Sequence, residues 1–374
     1  MSLFKGPMRQ HIPGHKELSD HVDIMEVKAG SKVFIPLICG PSVNLEILVK
    51  EGDHVSIGTK VAQCNERNVV PIFASVSGTV AGTQKLMHSS LKPVEHLVIE
   101  NDGLYERVRS FEPLDYKSAD RTALIDFMMN AGIIGLGGAG FPAYIKYKFA
   151  KDVKKLIINA VECEPFITAD YKMIQAHKEE FVTGVAAMKK MAMAPEAVIA
   201  IKKTHPDLIQ FVEEAVKGME GFSVAAVPDV YPMGWERVLV REIMHAEYEK
   251  LPGEVGAIVN NAAIAFGDAL LTGTPIVSKT LTVSGNAIKK PVNVQVPVGV
   301  PVSEIVAACG GYTCEDVRLI AGGPMMGKTI VNDKFVIDRN MNALTILSAL
   351  REMLRPLSCR TAAGAYCTGG KNKR

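Results

Sequence analysis

From Lys32 onward, short runs of β-type residues are set off by turn residues. The runs are Val33–Leu37, Leu45–Val49, Val69–Phe73, Val76–Val80 and His96–Ile99, with Glu51-Gly52-Asp53 and Ser77-Gly78-Thr79 as turns. Residues 1–30 before them are polar and irregular, punctuated by Pro7, Pro13 and Gly14. Beyond them the period changes. Leu124, Phe127 and Met128 fall at helical spacing, which predicts a helix over 116–131 with Ser118 as its N-cap. Leu156–Asn159, Ala197–Ile201 and Phe222–Val227 are apolar runs of the kind buried on both faces of a parallel sheet. Between them Tyr171–Met191 and Pro206–Met219 are amphipathic and long enough for helices, with Pro206 suited to a first turn. A further helix is expected at about 262–272. Thr280–Val298 returns to alternation, with a short helix at Val302–Ala308, and residues 331–374 predict a hairpin, a helix over Asn342–Leu354 and a tail.

The expected fold class is multi-domain α/β plus β. It comprises an irregular segment (1–30), a barrel (31–115), a Rossmann-like α/β layer (116–272), a β-grasp module (273–330) and a short C-terminal helical tail (331–374). Val49–Val55 and Ala74–Val80 resemble the two halves of a biotinyl/lipoyl-type barrel. Carriers of that type bear a lysine at the tip between the halves, whereas Gln63–Asn68 here has none, so the barrel reads as structural.

Composition adds bounds. At 374 residues, and roughly 100–200 per domain, two to four domains are expected. Hydrophobic residues at 48% allow ample core, and a net charge of +2 with scattered lysines and arginines speaks against nucleic acid as a partner. No apolar run approaches the ~20 residues of a membrane span, and Met1–Gly6 lacks a signal core. Seven dispersed cysteines suit reduced thiols in a cytoplasm. Cys309 and Cys314 flank Gly310-Gly311 without further ligands nearby, so both read as small buried thiols and no metal site is expected.

The densest chemical signal is Gly135-Leu136-Gly137-Gly138-Ala139-Gly140-Phe141-Pro142, followed by Lys146. Glycines let consecutive amides face an anion and let the backbone approach it closely. A helix over Ala143–Ala150 would add its N-terminal dipole and Lys146 a full charge, which together suit a phosphate-bearing cofactor. A glycine turn that merely lets a helix pack is the plainer alternative. The dinucleotide fingerprint fits poorly, because a helix rather than a strand precedes the loop. Gly322–Thr329 matches the Walker A pattern letter for letter, yet Ile330–Ile337 reads as strand, Asn-Asp turn and strand where a P-loop opens a helix. Pro324 also removes an amide donor, and the P-loop reading is rejected.

Five motifs occur in one order: Gly135–Pro142 with Lys146, Asn159–Pro165, Tyr231–Glu236, Val259–Asn261 and Gly322–Gly327. In that order they resemble RnfC, the peripheral subunit of an ion-pumping electron-transport complex, whose core is similar to the NADH- and FMN-binding subunit of respiratory complex I. The resemblance runs from the barrel to about residue 350. It implies FMN in the α/β layer with NAD(H) stacked over it. Gly135, Gly137, Gly138 and Gly140 would line the flavin, and Lys146 would meet its phosphate. Asn159, Asn260 and Asn261 would hydrogen-bond the flavin or ribityl chain; each by itself reads as a strand-end cap. Phe141 and Glu164 match positions that meet the nucleotide, and Glu162 and Glu236 match acids near the flavin. Val161 stands where complex I has an aspartate. At most one of Glu162 and Glu164 is expected to face the site, leaving the other as a solvated surface charge. Hydride transfer through a flavin needs no catalytic acid or base, and no catalytic side chain is assigned.

The implied partners are membrane-embedded electron-transport subunits, NAD(H) and, through the complex, ferredoxin, with the chain at the inner face of the cell membrane. Members of this family continue into two 4Fe-4S clusters with Cys-x2-Cys-x2-Cys-x3-Cys spacing. Here only Cys359 and Cys367 follow, too few and too far apart for such a cluster, so a truncated or altered iron–sulfur region is expected. A cofactor-free docking subunit and a cobalamin reductase of the propanediol-utilisation type are the alternative readings. The flavin reading requires that the glycine loop stand open to a cavity facing the asparagines.

Overall fold

The computed structural model describes residues 12–349, apart from 40, 41, 66, 67, 69 and 139. The expected helix over Asn342–Leu354 falls partly outside that range, as do Cys359 and Cys367 and part of the barrel tip at 63–68.

The N-terminal segment is not wholly irregular. It makes a 3-10 turn at Lys16–Leu18 and a two-residue strand, β1 (Met25–Glu26), parallel to a strand far along the chain. The barrel follows from β2 (Lys32–Pro36), β3 (Glu46–Ile47), β4 (His54–Val55), β5 (Lys60–Cys64), β6 (Val70–Phe73), β7 (Gly78–Met87) and β8 (Pro93–Asn101). They form two antiparallel sheets, ordered β2-β8-β7-β4 and β3-β5-β6.

The α/β layer opens with α1 (Arg121–Asn130), whose N-cap is Asp120 rather than Ser118. Asp120 accepts from the Ala123 amide, while the Ser118 hydroxyl is spent on Asp115. Then come α2 (Ala143–Lys148), β9 (Lys155–Ala160), α3 (Ala169–Ala176), α4 (Lys178–Ala192), β10 (Glu196–Lys202), α5 (Pro206–Ala215), β11 (Phe222–Val227), α6 (Glu236–Met244), β12 (Ala257–Asn260) and α7 (Ala263–Thr272). The single helix expected over Tyr171–Met191 is two, because His177 leaves helical geometry at φ −124. The strands form one parallel sheet in the order β11-β10-β9-β12, and β10, β9 and β12 are buried nearly throughout. Such a sheet hides its apolar runs only when helices cover both faces. One core joins it to α1, α2, α4 and α7, and a second packs α6 on the opposite side.

The last sheet contains β13 (Ser278–Ser284), β14 (Val292–Pro297), β15 (Val317–Ala321), β16 (Lys328–Ile330) and β17 (Ala343–Ser348), with α8 (Val302–Ala308) packed beside it. Its order is β1-β14-β13-β17-β15-β16. Ala343–Ser348, expected in a helix, is therefore a central strand, parallel to β13 and antiparallel to β15. The hairpin expected beyond Ile330 is also absent among the described residues: turns follow β16, and Val336 makes only a lone bridge to Pro301. Gly322–Thr329 connects β15 to an antiparallel strand instead of opening a helix, as the rejection of a P-loop requires. This sheet and the barrel share one core, in which Ile35, Val61 and Leu97 meet Leu281, Val294 and Ile346. Cys309 is buried, whereas Cys314, expected to be buried, is exposed.

Candidate functional site

In the parallel sheet, β10 and β11 lie on one side of β9 and β12 on the other, so the connections reverse direction between β9 and β12. In open α/β sheets, a crevice forms outside the carboxyl ends of the strands at such a point, and ligands favour it. Asn159-Ala160-Val161 and Asn260-Asn261 occupy those two ends.

The glycine loop arches over them. Gly135 donates to Phe141 O at 2.9 Å and Ile134 bridges Pro142, which closes the loop's base. Neighbours hold its wall from outside. Leu136 N donates to Asn261 Oδ1 (3.3 Å), Lys279 Nζ to Leu136 O (3.1 Å) and Asn340 Nδ2 to Gly138 O (2.9 Å). Gly138 and Gly140 have φ values of 75° and 60°, the left-handed region that glycine adopts freely. A Cβ on Gly138 would meet nothing within 4 Å, so the loop is open rather than packed shut.

Beneath it, Lys146 reaches across from α2, donating to Val259 O (2.7 Å) and Glu236 Oε2 (3.1 Å). With only six residues, α2 contributes little dipole, and the local positive charge is that of Lys146. Asn159 donates to Gly234 O at 2.8 Å. Asn260 is buried; its Nδ2 donates to Tyr147 Oη (3.0 Å) and its Oδ1 accepts from the Ala262 amide (2.8 Å). Its part is to fix the strand end.

An inner cavity of about 220 Å³ is lined by Gly135, Gly137, Gly140, Phe141, Lys146, Asn159, Glu236, Asn260 and Asn261, together with Ala143, Gly234 and Val259. An outer cleft of about 780 Å³ shares five of these residues and adds Gly138 and Glu164. The two carboxylates that sequence places side by side have separate fates. Glu164 lines the cleft; its Oε2 accepts from Met325 N at 2.9 Å, while its Oε1 is buried without a partner. Burial pushes this carboxyl up. Glu162 lines neither cavity. Its left-handed backbone (φ 45°) turns it to the Asp170 amide (2.9 Å) and Lys16 (4.0 Å), so it is a buried ion-pair member and not a solvated surface charge.

Sequence reasoning missed the far wall. His88 and Cys39 come from the barrel, and Asp338, Arg339, Asn340 and Asn342 from the segment before β17. His88 Nε2 lies 3.1 Å from Asp338 Oδ2, and Arg339 donates to Pro71 O at 3.2 Å. Burial opposes the charge on Asp338, yet His88 and Arg339 hold its carboxyl below the usual range. No motif marks these residues, because they converge only through contacts between domains. Trp235, 45% exposed on the cleft, lies inside a motif that is legible, next to Glu236.

The residues fit a flavin mononucleotide. The outer cleft's volume lies in the ~300–1,000 Å³ range of small-molecule sites, its glycine wall is open and Glu164 brings one unpartnered carboxylate oxygen, while Lys146 lines the adjoining inner cavity. Among the described residues no three His, Cys, Asp or Glu side chains gather as metal ligands, and no helix is long and apolar enough to cross a membrane.

Comparison with known proteins agrees with this layout. Residues 4–104 match the RnfC barrel sandwich hybrid domain, 128–266 the Nuo51 FMN-binding domain and 280–329 the SLBB domain. The chain is 32% identical to the RnfC-type component of the Na(+)-translocating ferredoxin:NAD(+) oxidoreductase complex of Acetobacterium woodii, over 95% of this chain and 82% of that protein. It is 33% identical to the proton-translocating counterpart of Clostridium ljungdahlii, over 87% and 72%. It is also 33% identical to the corresponding component of the ion-translocating oxidoreductase complex of Rhodobacter capsulatus, over 91% and 67%. Among solved structures, a chain of an NAD+-reducing [NiFe]-hydrogenase superposes with a TM-score of 0.52 at 20% identity, covering 62% of this chain and 47% of that one, a likeness of fold.

Proposed function

This chain belongs to the RnfC family, and from that premise we propose that it seats FMN at the carboxyl ends of β9 and β12 and passes electrons between NAD(H) and partner subunits. It is a peripheral subunit of an electron-transport complex. We place it on membrane-embedded partners at the inner face of the membrane, with ferredoxin reached through the complex. The observation that carries the reading is the open cleft at the strand switch point, with the glycine wall on one side and Lys146 in the inner cavity that adjoins it.

The protein's share of the work is placement and charge. The bare backbone at Gly137 and Gly138 lets a flat ring system come within contact distance. Lys146, held between Glu236 and Val259 O, sets a positive charge against a phosphate. Asn261, which accepts from the Leu136 amide, and Asn159, which donates to Gly234 O, line the inner cavity and present polar groups toward the ring. Phe141, 45% exposed, offers an apolar face at the mouth, and Glu164 Oε1 accepts from a hydroxyl or amide of a nucleotide in the outer cleft. The flavin, when bound, takes a hydride as an electron pair and releases electrons singly.

The test is spectroscopic. Purified chain mixed with FMN and freed of excess should keep flavin absorbance, and anaerobic NADH should bleach it. A chain that retains no flavin would instead be a docking subunit. One that reduces added cobalamin as readily would be a cobalamin reductase.

A further inference from the structure

The loop that carries Glu164 is held in a shape it would not choose. It joins β9 to α3, and two of its non-glycine residues, Glu162 and Phe166, have left-handed φ values of 45° and 67°. Each such residue is strained and persists only where its surroundings impose it. Here the imposing element is the N-terminal strap, a segment whose sequence reads only as polar and irregular.

Lys16 is the centre of the hold. Its ammonium has three protons. They go to the carbonyl oxygens of Glu162 (2.9 Å), Glu164 (2.9 Å) and Ile167, all in this one loop. Its neighbours bind the rest. The His15 ring stacks on Phe166 at 4.7 Å between centroids, and Phe166 N donates to Gly14 O at 2.7 Å. Ser19 Oγ meets Thr168 Oγ1 at 2.8 Å, where the loop ends, and Asn293 of β14 ties Ser19 O to the last sheet. The side chain of Lys16 is 11% exposed and that of Glu162 7%. Burial lowers the lysine and raises the carboxyl, as for an ion pair drawn out of water.

We infer that Lys16 is a positioning residue for nucleotide recognition: by bonding three carbonyls of the 162–167 loop it fixes Glu164 on the cleft wall, where its unpartnered Oε1 meets a donor of the nucleotide. This rests on the nucleotide reading above and adds a residue from outside the α/β layer to it. A lysine suits the task and an arginine does not, because three carbonyls converging on one point match a compact ammonium, while a planar fork spreads its donors.

The full chain loaded with FMN is titrated with NADH, following quenching of Trp235, its only tryptophan, which lines the same cleft. Lys16→Met should bind FMN within twofold of wild type but NADH at least tenfold more weakly, and Lys16→Arg should not restore it. In a Lys16→Met background Glu164→Gln should cost nothing further, because the two act as one unit. Amide exchange over 162–168 should rise in Lys16→Met whether or not a nucleotide is present. If Lys16→Met melts early, His15→Ala replaces it and should weaken NADH about threefold through loss of the ring stack alone. NADH binding equal to wild type in these variants, with exchange unchanged, overturns the proposal. Wild type that holds FMN yet shows no quenching by NADH overturns the nucleotide reading instead, and the exchange measurement still decides whether Lys16 holds the loop.

Discussion

At the residue scale, the site is a set of polar groups whose roles depend on how burial leaves them. The twelve positions implied by family resemblance are legible because glycine, lysine and asparagine carry distinctive local chemistry, and eleven of them line the two cavities. The exception is Glu162, which the resemblance places near the flavin but whose left-handed backbone turns its carboxylate away to the Asp170 amide and Lys16. Arg339, Asn340 and Asn342 carry no local signal at all. The same dependence on burial makes His96 a pH-sensitive position. Its Nδ1 lies 2.8 Å from Val94 O, its Nε2 is buried without a partner, and burial holds the ring below the ordinary value of 6.5. As pH falls through 6.5 the unfolded chain takes up a proton that the folded chain refuses, so stability is full above that pH and declines below it. The melting temperature should therefore be lower at about pH 5.5 than at about pH 7.5, and His96→Leu should shrink the difference. An equal difference in the variant would show that other groups, such as His205, account for it.

At the element scale, the parallel strands and α7 and α8 are readable from apolar runs bounded by proline and glycine. The failures have a common cause. Ala343–Ser348 is apolar on both faces, so it lacks the alternation that marks a strand, and periodicity cannot tell such a run from a buried helix. The break at His177 has no proline or glycine to announce it; packing of α3 and α4 against different neighbours imposes it. Glycine inside a helix tells more. A Cβ on Gly184 of α4 would lie 1.9 Å from Ala263 O, and one on Gly267 of α7 would lie 1.7 Å from Glu180 O. The two helices therefore pass with their backbones in contact, and α7 follows directly from the Asn260-Asn261 end of the site. Gly267→Ala must push them apart, at a cost on the order of 1–3 kcal/mol read as a lower denaturant midpoint. An unchanged midpoint would mean that the helices separate freely.

At the scale of the whole molecule, three folding units and a strap close around one cleft. The α/β layer supplies the floor and the glycine wall, the barrel supplies His88, and the segment leading into β17 supplies Arg339 and Asn342. The barrel and the last sheet share one core, so these far-wall residues are fixed relative to one another by buried apolar contact. Sequence reveals each unit but not this convergence, which arises from long-range packing. The central claim is that the cleft is a flavin seat, and Gly137 tests it most directly. It lines both cavities without needing a left-handed backbone, and a Cβ there would meet only the Asn261 and Asn342 amides at an ordinary 3.5 Å. Gly137→Val should thus fold as the wild type does while filling the space a ring would occupy. In a titration followed by flavin fluorescence, wild type should quench FMN saturably at one equivalent, and Gly137→Val, with the same melting temperature, should bind at least tenfold more weakly. Equal binding by the two proteins, or none by wild type, would contradict the account.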